Sequence, residues 1–265
     1  MGQSSRLTKK TVSAILPRGL IGWEVYYVPE LDSTQSFARD LFRQHGQYGI
    51  FVIANYQTSG RGREERIWVA QRGKNLLFSF ILMPRHPVSR LPLLTFTAAL
   101  AVCDGLRNHL HVKPEVKWPN DVLLNGKKVC GILTDLVKGK GGEQGVIIGI
   151  GLNVNQSLVG FPLDLRDRAG SLFLETGRMI SRLDLLAAVM KAFENRYFLF
   201  QNARFEEIVR RWKNYSSMLG RRVILHTGKR EIQGTVLDLE DTGALALRLD
   251  NGETESFYSC DCRFM

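Results

Sequence analysis

Cysteine is scarce in this chain of 265 residues, which has only four. Cys103, Cys130, Cys260 and Cys262 show no paired spacing, and this excludes a small secreted scaffold stapled by disulfides. Cys260 and Cys262 could hold a metal only with help from distant residues, so free thiols are expected. No apolar run reaches the roughly 20 residues that a bilayer requires, and the first twenty residues lack the apolar core of a signal peptide. A cytoplasmic protein with no membrane partner is therefore expected. Negative charge is in deficit: Asp plus Glu number 26 against 36 Lys plus Arg, a net charge of +10. That imbalance favours an anionic partner such as a nucleotide, a nucleic acid or an acidic protein. None of the five histidines falls in a motif, so no imidazole base is indicated.

Hydrophobic residues make up 44% of the chain and charged residues 23%, enough to bury a core. Residues 1–10 are polar and basic, too few for a helix-turn-helix module, and the stretch to residue 15 reads as a loose tail. Residues 23–28 have strand character. Phe37, Ala38, Leu41 and Phe42 then mark one face of a helix that Asp32 or Ser33 would cap and Gly46 would end. Residues 75–83 read as a strand and residues 91–109 as a buried helix. Asn125-Gly126 between apolar segments signals a hairpin, with further strands over residues 129–137 and 146–154. Such a meander favours an α+β fold, a mixed sheet flanked by helices. Residues 161–177 read as loop, and helices follow from Ser181 to residue 199 and over residues 205–218. Four short strands then occupy residues 222–226, 231–239, 244–249 and 253–258, which suggests a small barrel. The chain is accordingly divided into residues 1–218 and 219–265.

The stretch NYQTSGRGREERIW, residues 55–68, leaves an apolar strand and gathers Gly60, Gly62, Arg61, Arg63 and Arg66. Glycine lets the backbone approach a ligand, and arginine presents a planar fork of donors suited to phosphate or carboxylate. An anion-holding loop and an ordinary basic surface loop are both compatible with these residues alone. The same holds elsewhere. Ser33 and Thr34 could serve only as a helix cap, Trp68 and Trp118 as core aromatics, Lys117 and Lys128 as solvated strand ends, and Asn153 and Asn155 as turn residues.

LDSTQ at residues 31–35, YQTSGRGREERIW at 56–68, KWPND at 117–121, and KKVCGIL through GIGLNVN at 127–155 occur in this order. Together they resemble the biotin protein ligase family, and residues 219–265 resemble its small C-terminal SH3-like domain. The resemblance implies a catalytic domain related to class II aminoacyl-tRNA synthetases and lipoate ligases. It further implies the group without an N-terminal DNA-binding domain, hence no DNA partner. The implied reaction joins biotin and ATP to give biotinyl-5′-AMP and pyrophosphate. Biotin then passes to a lysine of a biotin carboxyl carrier protein, of acetyl-CoA carboxylase or another biotin-dependent enzyme. By match to the family pattern, Lys128, Arg63 and Arg61 are catalytic. Biotin falls to Ser33, Thr34, Gln35, Gln57, Arg61, Gly62, Arg63, Lys128 and Gly131. The nucleotide falls to Gly60, Arg63, Arg66, Trp68, Lys117, Asn120, Asp121 and Asn153, with Trp68 stacking on adenine and Asn153 reading its edge. Magnesium is implied near Lys117, Asn120 and Asp121, with no ligand set assigned and no metal bound by the protein alone. A homodimer is left open.

Three positions depart from that pattern. Glu65 stands where glycine is common, Gln35 where asparagine follows Asp-Ser-Thr, and Cys260 where glycine is common. The last is expected to bear on the small domain and not on adenylation. Two rival readings are a lipoate or octanoate ligase, which KWPND and the C-terminal tail argue against, and a nucleic-acid-binding protein. The second needs a basic, aromatic face on the small barrel, but Glu231, Asp238, Glu240, Asp241, Asp250, Glu253 and Glu255 make that segment acidic.

Overall fold

Seven strands form the larger sheet: β1 (Glu24–Val28), β2 (Ile50–Ala54), β3 (Leu76–Leu82), β4 (Glu115–Lys117), β5 (Asp121–Leu124), β6 (Lys127–Lys138) and β7 (Gln144–Leu152). Their order in the computed structural model, which describes residues 6–228 and 230–265, is β1-β2-β3-β7-β6-β5-β4. The β1–β2 pair is parallel and the other pairings are antiparallel, so the sheet is mixed. The α+β class follows from this connectivity.

Alternation along the strands sends side chains to two cores. On one face Val52, Ile81 and Ile147 pack with Ala38 and Phe42 of α2 (Thr34–His45). On the other, Phe51, Phe78, Phe80 and Ile148 meet α3 (Pro92–Leu110) and α5 (Arg182–Gln201). Burial on both faces explains why β2 is an unbroken apolar run and β3 is one but for Ser79, and why neither alternates. α3 is enclosed between the sheet and α5, which explains its apolar surface on every side. By length and composition α3 could cross a bilayer, contrary to the sequence expectation, but here it is core.

The N-terminal tail is corrected from residue 7 onward; residues 1–5 lie outside the described residues. Thr8 and Thr11 exchange side-chain and backbone hydrogen bonds in a capping box that starts α1 (Lys9–Ile15). Leu7, Val12 and Leu16 are buried. Together with the partly buried Ile15 they pack where β1 and α5 supply a surface to cover. The loop expected over residues 161–177 also contains a short helix, α4 (Leu172–Thr176), capped by the Ser171 hydroxyl. The last large helix, α6 (Phe205–Tyr215), ends earlier than expected, at the extended Ser216.

The small sheet holds β8 (Arg222–His226), β9 (Glu231–Leu239), β10 (Leu245–Leu249), β11 (Thr254–Phe257) and β12 (Asp261–Phe264), in the order β11-β10-β9-β8-β12. β12 was not foreseen. It pairs antiparallel with β8, from Asp261 opposite His226 to Phe264 opposite Val223. Val223, Leu225 and Leu247 belong to the same buried cluster as the large core. Trp118 completes the junction: it is buried, and its indole N–H donates to the Gly243 carbonyl at 3.1 Å.

Gly105 lies where α3 crosses α5, and a Cβ there would stand 3.0 Å from Val189 Cα and 3.1 Å from its N. Backbone atoms cannot swing aside. Alanine would gain about 1 kcal/mol of helix propensity, while overpacking a closed core costs about 1–3 kcal/mol. Gly105→Ala is therefore expected to lower stability by about 1 kcal/mol, read as a lower urea midpoint at unchanged slope.

Candidate active site

The loop that follows β2, the start of α2, and strands β3, β6 and β7 line a cavity of about 680 Å³. This is the size range of a small-molecule site. Ser33 caps α2, its hydroxyl accepting from Ser36 N at 3.4 Å, so the helix start faces the cavity. Ser33, Thr34, Gln35 and Gln57 are all buried. Gln57 Oε1 accepts from both Thr34 N (2.7 Å) and Thr34 Oγ1 (2.9 Å). Ser79 Oγ lies 2.8 Å from Thr34 Oγ1 and donates to Gln35 Oε1 at 3.1 Å. Ser79 was missed by sequence reasoning; its only signal is a hydroxyl in an otherwise apolar strand. Gln35, longer than the asparagine of the family pattern, reaches the sheet and donates to the Ile147 carbonyl at 3.3 Å. Its oxygen occupies the space above Gly149, where a Cβ would come within 2.3 Å.

Trp68 lies on a floor of glycine. A Cβ at Gly151 would stand 2.5 Å from its ring, and one at Gly131 would stand 2.8 Å away. Lys128 Nζ is 5.6 Å from the ring centroid and 2.6 Å from Asp121 Oδ1. Asn153 is buried, and its Nδ2 donates to the Gly170 carbonyl at 3.0 Å. Its Oδ1 is buried without a partner among the described residues, which leaves an acceptor on the cavity wall for an incoming N–H. Asn120 Nδ2 is fixed by the Ile132 carbonyl at 2.7 Å, and its oxygen accepts from Arg63 at 3.4 Å.

Every residue that the sequence assigned to the site lines this cavity except Gly60. Gly60 is buried behind it: its carbonyl accepts from Trp68 N at 2.8 Å, and a Cβ would meet the Trp68 carbonyl at 2.6 Å. It shapes the loop without forming the wall. Glu65, the expected glycine, takes the left-handed backbone (φ +60°), as does Glu64 (φ +52°). The loop thus keeps the turn that glycine would allow, at a cost of about 1 kcal/mol for each side chain.

The Cys260 side chain is buried and does not line the cavity, but its backbone touches the arginine loop. Arg63 donates to Ser259 Oγ at 2.6 Å and to the Cys260 carbonyl at 3.5 Å. Arg66 pairs with Asp261, and Asp261, Cys262, Arg263 and Phe264 line the cavity. The small sheet therefore supplies part of the wall and holds the arginine loop. Burial pushes the Cys262 thiol up to about 12 and Cys260 up to about 11, so both stay protonated at neutral pH. Burial would raise the Asp261 carboxyl as well, but the Arg66 hydrogen bond and the charges of Arg66, Arg63 and Arg263 carry it below its usual value. Around the cavity, Arg61, Arg63, Arg66, Lys117, Lys128, Arg168 and Arg263 face two carboxylates, Asp121 and Asp261. Such a site attracts a multiply charged anion.

Comparison with known proteins agrees with this geometry. The model of the Biotin/lipoate A/B protein ligase family matches residues 27–153, and that of the Biotin protein ligase C terminal domain matches residues 218–265. The chain is 35% identical over 256 residues to the bifunctional ligase/repressor BirA of Bacillus subtilis, covering 97% of this chain and 78% of that protein. The chain belongs to the biotin protein ligase family. Another member, the biotin--[acetyl-CoA-carboxylase] ligase of Paracoccus denitrificans, is 35% identical over 205 residues, covering 75% of this chain and 83% of that one. Among solved members, the biotin protein ligase of Aquifex aeolicus in complex with biotin and ATP superimposes with a TM-score of 0.80 at 31% identity. That match covers 91% of this chain and 99% of the other.

Because the folded Asp261 carboxyl titrates below its ordinary 3.8, its hold on Arg66 is complete above about pH 4 and is lost as pH falls through the folded value. Arg66 is half exposed, so the pair is worth about 0.5 kcal/mol. Asp261→Asn is expected to raise amide hydrogen exchange over residues 60–68 roughly twofold at pH 7. Wild type should approach the variant below about pH 4.

Proposed function

We propose that this chain activates biotin with ATP and transfers it to a lysine of the carrier domain of acetyl-CoA carboxylase, in the cytoplasm. The observation that carries this reading is the cavity itself. A buried polar cluster at the start of α2 adjoins a ring of seven cations against two carboxylates. A ureido ring needs buried donors and acceptors at one end, since each unpaired polar group costs about 1–3 kcal/mol. Ser33, Thr34, Gln35 and Gln57 supply them. A carboxylate attacking an α-phosphate must approach another anion, and Arg61, Arg63 and Lys128 lower that repulsion. Joining the carboxylate to AMP replaces an oxide leaving group by a phosphate, so the carrier lysine can then form the amide.

Asn153 Oδ1, the unpartnered acceptor, suits the amino group of adenine, and Trp68 on the cavity wall suits its ring. Lys117, Asn120 and Asp121 adjoin the phosphates. No cluster of three metal-binding side chains occurs among the described residues, and Asp121, next in sequence to Asn120, fits magnesium that arrives on the triphosphate. When bound, magnesium screens phosphate charge. The acceptor lysine loses its proton with no histidine in a motif nearby, so positioning and the local positive field do that work. The four unpaired thiols fit a reducing compartment. A nucleic-acid reading is not favoured, since Glu231, Asp238 and Glu253 are exposed on the small sheet.

The protein incubated with biotin and radiolabelled ATP should release pyrophosphate and form an adenylate that hydroxylamine traps; lipoate should give none. No pyrophosphate with biotin would refute the reading. In single-turnover assays Lys128→Ala is expected to slow adenylate formation about a hundredfold. Arg63→Gly, which removes the bonds to Asn120, Ser259 and Cys260, is expected to release biotinyl-AMP into solution where wild type retains it.

A further inference from the structure

Behind the cavity lies a polar knot that uses none of the residues assigned to the substrates. Gln156 and Asn75 are fully buried, each with no exposed surface. Gln156 Oε1 accepts from Gln71 N at 2.9 Å and from Asn75 Nδ2. Its Nε2 donates to the Gly160 carbonyl at 3.1 Å, and its own carbonyl accepts from the Ser171 hydroxyl at 2.6 Å. Gln71 returns the contact, its Oε1 accepting from Ser157 N at 3.0 Å. Asn75 Oδ1 accepts from Val154 N at 3.0 Å. Gly160 is held so close that a Cβ there would fall 2.1 Å from Gln71 Cδ.

This knot joins two chain segments at their roots. Residues 55–75 carry Arg61, Arg63 and Trp68 out over one side of the cavity and return to β3. Residues 153–170 carry Phe161, Leu165 and Arg168 into another part of the wall and return to α4. A buried amide that satisfies both of its ends with groups from both segments permits one relative placement of the two walls. We infer that Gln156, which accepts from Gln71 N while the next residue, Ser157, donates to Gln71 Oε1, is a positioning residue that couples the arginine loop to the 157–170 wall, so that the two close on the mixed anhydride together. The inference rests on the biotin-activating reading and deepens it. Glutamine at 156 directly follows the GLNVN motif, and from sequence it reads as one more loop residue.

The test uses the full chain carrying Gln156→Met, which keeps length and removes the hydrogen bonds, and Gln71→Ala, at a less buried position. Each is expected to speed escape of biotinyl-AMP about tenfold and to raise KM for biotin by a similar factor, a scale set by small misplacements of positioning groups. The single-turnover rate at saturating substrates should change less than about threefold. The double variant should be no worse than the worse single, since the two remove different bonds that serve one junction between the same two segments. Tyr215→Phe, which breaks the bond from Tyr215 to Asp104 away from the cavity, provides a matched destabilisation: a lower Tm with unchanged retention. Tight retention in either folded glutamine variant, additive effects in the double, or equal leakage from Tyr215→Phe would overturn the coupling. If Gln156→Met does not fold, Gln71→Ala decides alone on retention and KM. A wild type that forms no adenylate would overturn the functional reading, and the coupling with it.

Discussion

Like charges must be brought together in this protein, and the arrangement of its site follows from that requirement. A carboxylate and a phosphate approaching bond distance repel by several kcal/mol once water is partly excluded. Cations mounted on flexible surface chains would be screened and would remain far apart. Here they stand around a cavity whose floor is stripped of side chains. Gly131 and Gly151 let the Trp68 ring settle on the sheet, which brings the arginine loop down beside Lys128. A sheet bearing ordinary side chains at those two positions would lift the ring and open the site to solvent.

Mounting the arginines on a loop of about twenty residues creates a second requirement, since a long connection has many conformations to lose. Three anchors limit them. The strands β2 and β3 pair at its base. The small sheet grips its tip through Ser259, the Cys260 carbonyl and Asp261. The glutamine knot ties its return limb to the 157–170 segment. The small domain thus holds the loop as well as packing on the large one. It shares the main hydrophobic cluster through Val223, Leu225 and Leu247, and it presents β12 to the cavity.

Local signals were sufficient for much of this. Periodicity located α2, α3 and α5, and turn chemistry located the β5–β6 hairpin at Asn125-Gly126. Motif spacing placed Ser33, Gln57, Arg63, Lys117 and Lys128 on one cavity although they lie far apart in the chain. The misses have physical causes. α1 is seven residues long and follows a polar, basic start, so its apolar positions span barely one period. β12 is four residues long, and an earlier strand, β8, supplies its partner row. Ser79 and Gln156 are ordinary polar residues whose role depends on what lies opposite them.

By itself the sequence determined the elements, the order of the motifs and the chemical character of the site, because these depend on neighbours a few residues away and on net charge. Only the tertiary structure decided which positions confront one another across it. Arg66 meets Asp261 at a separation of 195 residues, and Gln71 meets Gln156 at a separation of 85. No periodicity, propensity or local composition encodes such contacts. They arise from the packing of whole elements, when burial leaves each polar group to find its partner in another part of the chain.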